Sequence, residues 1–126
     1  MINQKLFALA KEVAQQAYAP YSNFRVGAAL ITDTGNIYKG CNVENASYGL
    51  SICAERNAIF NMVTNGDKLI KEIAIYVDSD KIFPPCGACR QVLAEFGEDI
   101  VIYYGNDKQI TQTTLKEILP HTFRLK

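Results

Sequence analysis

Three cysteines and a glutamate, set in Cys53-Ala54-Glu55 and Pro85-Cys86-Gly87-Ala88-Cys89, constrain this chain more than any other feature. Zinc takes four tetrahedral ligands, and a structural site normally closes all four with cysteine or histidine, whereas only three good donors cluster here. An open fourth position points to catalysis. The two-residue gap between Cys86 and Cys89 lets a loop or a first helical turn present both sulfurs to one ion, so the fold must bring Cys53 to the same point from elsewhere. Glu55 lies two residues after Cys53, where a regular helix would send the two side chains in different directions. It is better placed as an acid/base than as a ligand.

The rest of the chain supplies a scaffold for such a site. Leu6, Leu9, Val13 and Ala17 mark the buried face of a helix over residues 3–18, stopped by Pro20. Two β-rich runs, residues 24–31 and 37–41, flank the turn Asp33-Thr34-Gly35-Asn36 and predict a hairpin. Cys53 opens a second helix, reaching about Met62, with Ala54, Ala58, Ile59 and Met62 on its packed side and Asn65-Gly66 as its end. The apolar run 73–77 reads as a strand from the middle of a sheet covered on both faces. Pro84-Pro85 then forces an extended approach to a third helix, 86–96, opened by the second cysteine pair and stopped by Gly97. A fourth strand at 100–104, a weaker fifth at 109–113 and a short helix capped by Thr114-Leu115-Lys116-Glu117 complete the chain. A hairpin followed by strand–helix alternation predicts an α/β fold, helices packed on a mixed sheet, as one domain over residues 1–126.

Two strand-to-helix junctions would aim their helix N-termini at one metal, and the free N–H groups there favour thiolate. Three thiolates on a divalent ion leave a net negative centre, which makes a bound water harder to deprotonate. The helix ends, each worth about 0.3–2 kcal/mol, and Arg56 beside Glu55 are expected to offset that charge. Cys41, at the end of an apolar strand, reads as a small buried hydrophobe, and the lone His121 as no part of the cluster. With 13 basic and 13 acidic residues intermixed, the chain lacks the electrostatic footprint of a DNA, RNA or membrane-surface binder. Residues 1–5 lead into an amphipathic helix, with no signal-type or membrane-spanning apolar run, so a cytoplasmic location is expected and disulfides are not.

The His- or Cys-x-Glu and Pro-Cys-x-x-Cys elements are those of zinc deaminases. Beyond them, the segments 18–30 (Tyr18-Ala19-Pro20-Tyr21-Ser22-Asn23-Phe24-Arg25-Val26-Gly27-Ala28-Ala29-Leu30) and 42–48 (Asn42-Val43-Glu44-Asn45-Ala46-Ser47-Tyr48) closely resemble the small homotetrameric cytidine deaminases of pyrimidine salvage. The resemblance runs from the first helix to Phe123. It implies a three-layer α/β/α fold with a five-stranded mixed sheet, one zinc per chain on Cys53, Cys86 and Cys89, and a tetramer with shared active sites. It also implies a hydrolase that acts on cytidine or deoxycytidine, with Glu55 taking a proton from zinc-activated water, passing it to N3 and then helping ammonia leave. By similarity Phe24 packs on the pyrimidine, Asn42 and Glu44 bind the ribose 3′-hydroxyl, and Tyr48 and Phe123 reach a neighbouring subunit's site. Backbone groups of Ala54 and of the residue before Pro85 would meet the base; here that residue is Pro84, a departure that keeps its carbonyl as an acceptor.

Without the resemblance, Asn42-Val43-Glu44-Asn45 is a polar turn, and Phe24, Tyr48 and Phe123 are packing residues. Other readings of the site are a zinc-stabilised module without catalysis, a polynucleotide-editing deaminase, and a same-fold deaminase of another cytosine-containing small molecule. Zero net charge argues against the polynucleotide enzyme, and Glu44 would repel a phosphate placed beside it.

Overall fold

The computed structural model describes residues 2–125, so Met1 and Lys126, the two ends of the expected domain, lie outside them. Along the chain run α1 (Gln4–Ala14), β1 (Val26–Thr32), β2 (Ile37–Cys41), a 3₁₀ turn (Tyr48–Leu50), α2 (Ala54–Thr64), β3 (Ile70–Val77), α3 (Gly87–Ala94), β4 (Val101–Gly105), β5 (Ile110–Thr114) and α4 (Leu115–Ile118). The strands make one sheet in the order β2-β1-β3-β4-β5, antiparallel except for the β3–β4 pair. A parallel pair cannot be joined by a tight turn, and α3 lies in the crossover that joins this one.

Alternation of side chains across the pleat divides the core in two. Ala28, Leu30, Ile73, Ile75 and Ile102 pack with Ala58, Ile59 and Met62 of α2, Leu93 of α3 and Leu115 of α4. On the opposite face Ala29, Ala74, Tyr76 and Tyr103 pack with Leu6, Phe7, Ala10 and Ala14 of α1. The three layers are therefore α1, the sheet, and α2 with α3 and α4. β3 is the central strand, and residues 73–77 of it are all buried, as their apolar run predicts.

Two helices lie unusually close to the sheet, each over a glycine. A Cβ on Gly27 of β1 would fall 1.9 Å from the Ala10 carbonyl oxygen, and one on Gly40 of β2 would fall 2.3 Å from Ala58 N and 2.7 Å from the Ala54 carbonyl oxygen. The first approach corrects the expected face of α1. Its small residues Ala10 and Ala14 turn inward with Leu6 and Phe7, while Leu9, Val13 and Ala17 are only half-buried. The helix also ends before Pro20 acts on it. Gln16 and Ala17 form tighter bonds to Val13 and Ala14 carbonyls, and Tyr18 leaves to pair with Val43. β1 begins at Val26 rather than Phe24 because Asn23 adopts φ 63°, a left-handed bend that asparagine tolerates and a strand does not.

Candidate active site

Cys53 is the N-cap of α2, Cys86 the N-cap of α3, and Cys89 sits in the first turn of α3. Both helix N-termini therefore converge on the sulfurs, as their spacing predicts. The three Sγ atoms lie within 4.8 Å of one another, with Cys53–Cys86 at 3.9 Å and Cys86–Cys89 at 3.4 Å. Tetrahedral zinc with Zn–S near 2.3 Å separates its sulfurs by about 3.8 Å, so the donor set fits that ion in both chemistry and size. The Cys89 backbone N–H donates to Cys86 Sγ at 3.5 Å, which fixes one sulfur relative to the other.

The surroundings of Cys53 favour its thiolate. A hydrogen bond with Cys89, then Arg56 and Cys86, lowers the Cys53 thiol to about 5 against the opposing effect of burial. Cys89 is correspondingly pushed up, first by that same bond to Cys53 and then by burial. Arg56 donates from Nη2 to Cys53 Sγ at 3.6 Å. Its Nε is buried without a hydrogen-bond partner among the described residues.

Glu55 projects from the first turn of α2 and is 5% exposed. Burial, reinforced by the neighbouring Cys53 charge, pushes its carboxyl up to about 7. It shares a cavity of about 160 Å³ with Cys53, Ala54 and Asn42, walled by Val26, Ile75, Val77, Phe83 and Pro84. A carboxyl poised near neutrality beside an open metal position can both accept and return a proton.

Asn42 and Glu44 both reach the segment that carries Phe24. Asn42 Oδ1 accepts from Val26 N at 2.9 Å, and its Nδ2 donates to the Phe24 carbonyl at 2.7 Å. Glu44 accepts from the backbone N–H groups of Tyr21 and Ser22 at 3.0 and 3.1 Å and from the Ser22 hydroxyl. That hydroxyl, ahead of the backbone donors, holds the Glu44 carboxyl below its ordinary range. Ser22 Oγ also accepts from Phe24 N at 3.0 Å. The two polar side chains thus fix the position of an aromatic one, while each keeps capacity for a further hydrogen bond.

Phe24 meets Phe83 edge-to-face, with ring centroids 5.5 Å apart. Phe83 was not singled out by the sequence. Its signal is an aromatic placed immediately before Pro84-Pro85, where the rigid approach to Cys86 dictates what stands over the cavity. Tyr48, 79% exposed, lines a neighbouring hollow with Glu44, Tyr21 and Ser22, and Phe123, 68% exposed, has its carbonyl bonded by Gln91 Nε2. Neither ring reaches the Glu55 cavity from within its own chain. Cys41 is half-buried rather than a full core residue, because β2 is an edge strand. His121 is exposed and outside the sulfur cluster.

A thiolate triad at two helix N-termini, with a buried carboxyl beside it in an α/β/α sandwich, defines a metal-dependent hydrolytic enzyme class. Residues 1–105 match the family described as the cytidine and deoxycytidylate deaminase zinc-binding region, and the chain belongs to that family. It is 46% identical to the cytidine deaminase of Sporosarcina psychrophila over 122 residues, covering 95% of this chain and 90% of that one. It is 45% identical over 125 residues to the cytidine deaminase of Halalkalibacterium halodurans, covering 98% and 95%. The solved structure of the cytidine deaminase from Burkholderia pseudomallei superposes with a TM-score of 0.91 at 42% identity, covering 98% of this chain and all of that one.

Proposed function

We infer that this protein is a cytidine deaminase, a hydrolase that converts cytidine and deoxycytidine with water into uridine and deoxyuridine plus ammonia. The observation that carries this reading is the buried Glu55, in one cavity with Cys53 of the three-cysteine cluster. Cys53, Cys86 and Cys89 would hold zinc, which when bound supplies Lewis-acid activation of a water. Glu55 takes one proton of the attacking water and delivers it to N3 of the cytosine ring as the water oxygen bonds to C4, then takes the second proton from the new C4 hydroxyl and passes it to the amino group, which leaves as ammonia as the C4–N bond breaks and C4=O forms. One carboxylate can do both because it accepts and donates in turn from one buried position beside Cys53. Arg56 offsets the charge of the sulfurs from its contact with Cys53.

Binding is assigned to Asn42, Ala54 and Pro84, which line that cavity, and to Phe24 and Glu44 beside it. Phe24, braced by Phe83, packs the pyrimidine; the Ala54 backbone and the Pro84 carbonyl meet the base's polar edge. Asn42 and Glu44 take the ribose 3′-hydroxyl with the hydrogen-bonding capacity left to them, which is blind to the 2′ position and favours a nucleoside over a phosphorylated substrate. The working form is a homotetramer of chains that each form one deaminase domain over residues 1–126, in which Tyr48 and Phe123 reach a neighbouring site. Tyr48, Leu50, Phe60, Val63 and Phe123 are exposed in the single chain and so are available for such contacts. The setting is pyrimidine salvage in the cytoplasm.

The test is the conversion of cytidine to uridine by zinc-loaded protein, followed by ultraviolet absorbance, with Glu55→Gln of verified zinc content alongside. Turnover by wild type alone is expected. Folded, zinc-bound wild type that turns over neither cytidine nor deoxycytidine would overturn the reading, in favour of another aminopyrimidine substrate or a purely structural metal.

A further inference from the structure

The structure assigns Arg90 a role beyond the deaminase chemistry: we propose that it is a positioning residue, bracing the Pro84-Pro85-Cys86 turn against the C-terminal segment and thereby setting how firmly zinc is held. The inference rests on the reading of Cys53, Cys86 and Cys89 as zinc ligands.

Arg90 follows Cys89 on α3 and is half-buried. Its Nε donates to the Pro85 carbonyl at 2.7 Å, and its Nη1 donates to the Ile118 carbonyl at 2.9 Å. Each acceptor needs this partner for a physical reason. Pro84 and Pro85 have no N–H, so the turn into Cys86 can be anchored only through its carbonyls, and Pro85 is buried away from water. Ile118 is the last residue of α4, where a helix leaves its carbonyls without intrahelical donors. A planar guanidinium spans both acceptors at once, which a lysine ammonium on its flexible stem does not do.

The next residue extends the brace. Gln91 Nε2 donates to the Phe123 carbonyl at 3.0 Å. Consecutive residues after Cys89 thus fasten the chain from Ile118 to Phe123 onto the helix that carries two of the three sulfurs. Cys86 is exposed in this chain, so its sulfur depends on the turn before it for a fixed position. Removing Arg90 frees that turn and the tail together. Residues that orient ligands in this indirect way typically change metal affinity by about 10- to 100-fold when lost.

Arg124 provides the control. It bonds the carbonyls of Ala94 and Gly97 at the far end of α3, so it braces the same helix to the same tail without touching the ligand turn. Zinc content and the rate of zinc transfer to a chromogenic chelator would be measured for wild type, Arg90→Met, Arg90→Lys and Arg124→Met, with thermal midpoints for each. Arg90→Met should release zinc at least ~10-fold faster than wild type, with Arg90→Lys between them, whereas Arg124→Met should stay within about twofold of wild type even though its midpoint falls. Release from Arg90→Met at the wild-type rate would overturn the proposal. So would equally fast release from Arg124→Met, because release would then follow global stability alone. Should Arg90→Met fail to fold, Arg90→Lys against Arg124→Met decides by the same comparison. A wild type that binds no zinc would remove the thiolate–zinc reading itself, a result separate from either of these.

Discussion

Replacing Gly40 with alanine tests whether the seating of α2 on the sheet sets the catalytic geometry. The added Cβ would stand 2.3 Å from Ala58 N, 2.7 Å from the Ala54 carbonyl oxygen and 2.8 Å from Asn57 C, all main-chain atoms that no rotamer change can move. Ordinary contact begins at 3.4 Å, so the start of α2 must retreat by roughly 1 Å. Overpacking of this kind costs about 1–3 kcal/mol, which for a chain of this size lowers the thermal midpoint by roughly 3–12 °C. The displaced turn is the one that carries Cys53 and Glu55, and a ~1 Å misplacement of reacting groups costs on the order of 100-fold in rate. Gly27→Ala is the matched comparison, since its Cβ would meet Ala10 of α1 on the face of the sheet away from the site. Calorimetry should show both variants destabilised. Cytidine kinetics, run well below both midpoints, should show a ~100-fold fall in kcat/KM for Gly40→Ala and a change within about threefold for Gly27→Ala. Wild-type kcat/KM in folded Gly40→Ala, or an equal loss in both variants, would refute the argument.

Phe83→Ala should raise KM for cytidine by roughly 3- to 10-fold with kcat within twofold, since an aromatic pair is worth about 0.5–1.5 kcal/mol beyond its area and Phe83 braces the base-packing ring without touching the proton relay. Equal loss of kcat would show Phe83 acting on the chemistry. Tyr76 is raised to about 12, by burial first and then by its hydrogen bond to Asp107, so between roughly pH 10 and 12 the folded chain keeps a proton that the unfolded chain has released. Its contribution to stability is therefore complete below pH 10 and lost as pH rises through that window, by at most about 1.4 kcal/mol per pH unit. Urea midpoints at pH 8, 10 and 11 should fall more steeply for wild type than for Tyr76→Phe, and identical slopes would contradict this.

The parts of the structure legible in the sequence are those fixed by neighbours along the chain. The hairpin follows from β-rich runs around Asp33-Thr34-Gly35-Asn36, and the positions of Cys53 and Cys86 at helix starts follow from what flanks them. The less legible parts depend on partners distant in sequence. The face of α1 is set by its approach to Gly27, not by its apolar period. β3 starts at Ile70, three residues before its apolar run, because it goes on pairing with β1 and β4 through polar Glu72, whose carboxylate accepts from Tyr103 OH at 2.6 Å. At the site, residue types announced the sulfurs and Glu55, yet the burial that raises Glu55 comes from the packing of α2 on the sheet. Likewise, the clamping of residues 21–26 by Asn42 and Glu44 is a loop-to-loop contact with no periodicity to reveal it.

The central strand also orders events during biosynthesis. Cys53 leaves the ribosome before β3, and Cys86 follows 33 residues later, after β3 and the turn that ends it. At about 5–20 residues per second, a nascent chain holds its first thiol without its partners for roughly 2–7 seconds. Through that interval the nascent chain holds Cys53 without Cys86 and Cys89, so the complete donor set cannot exist before β3 and the turn after it have been made.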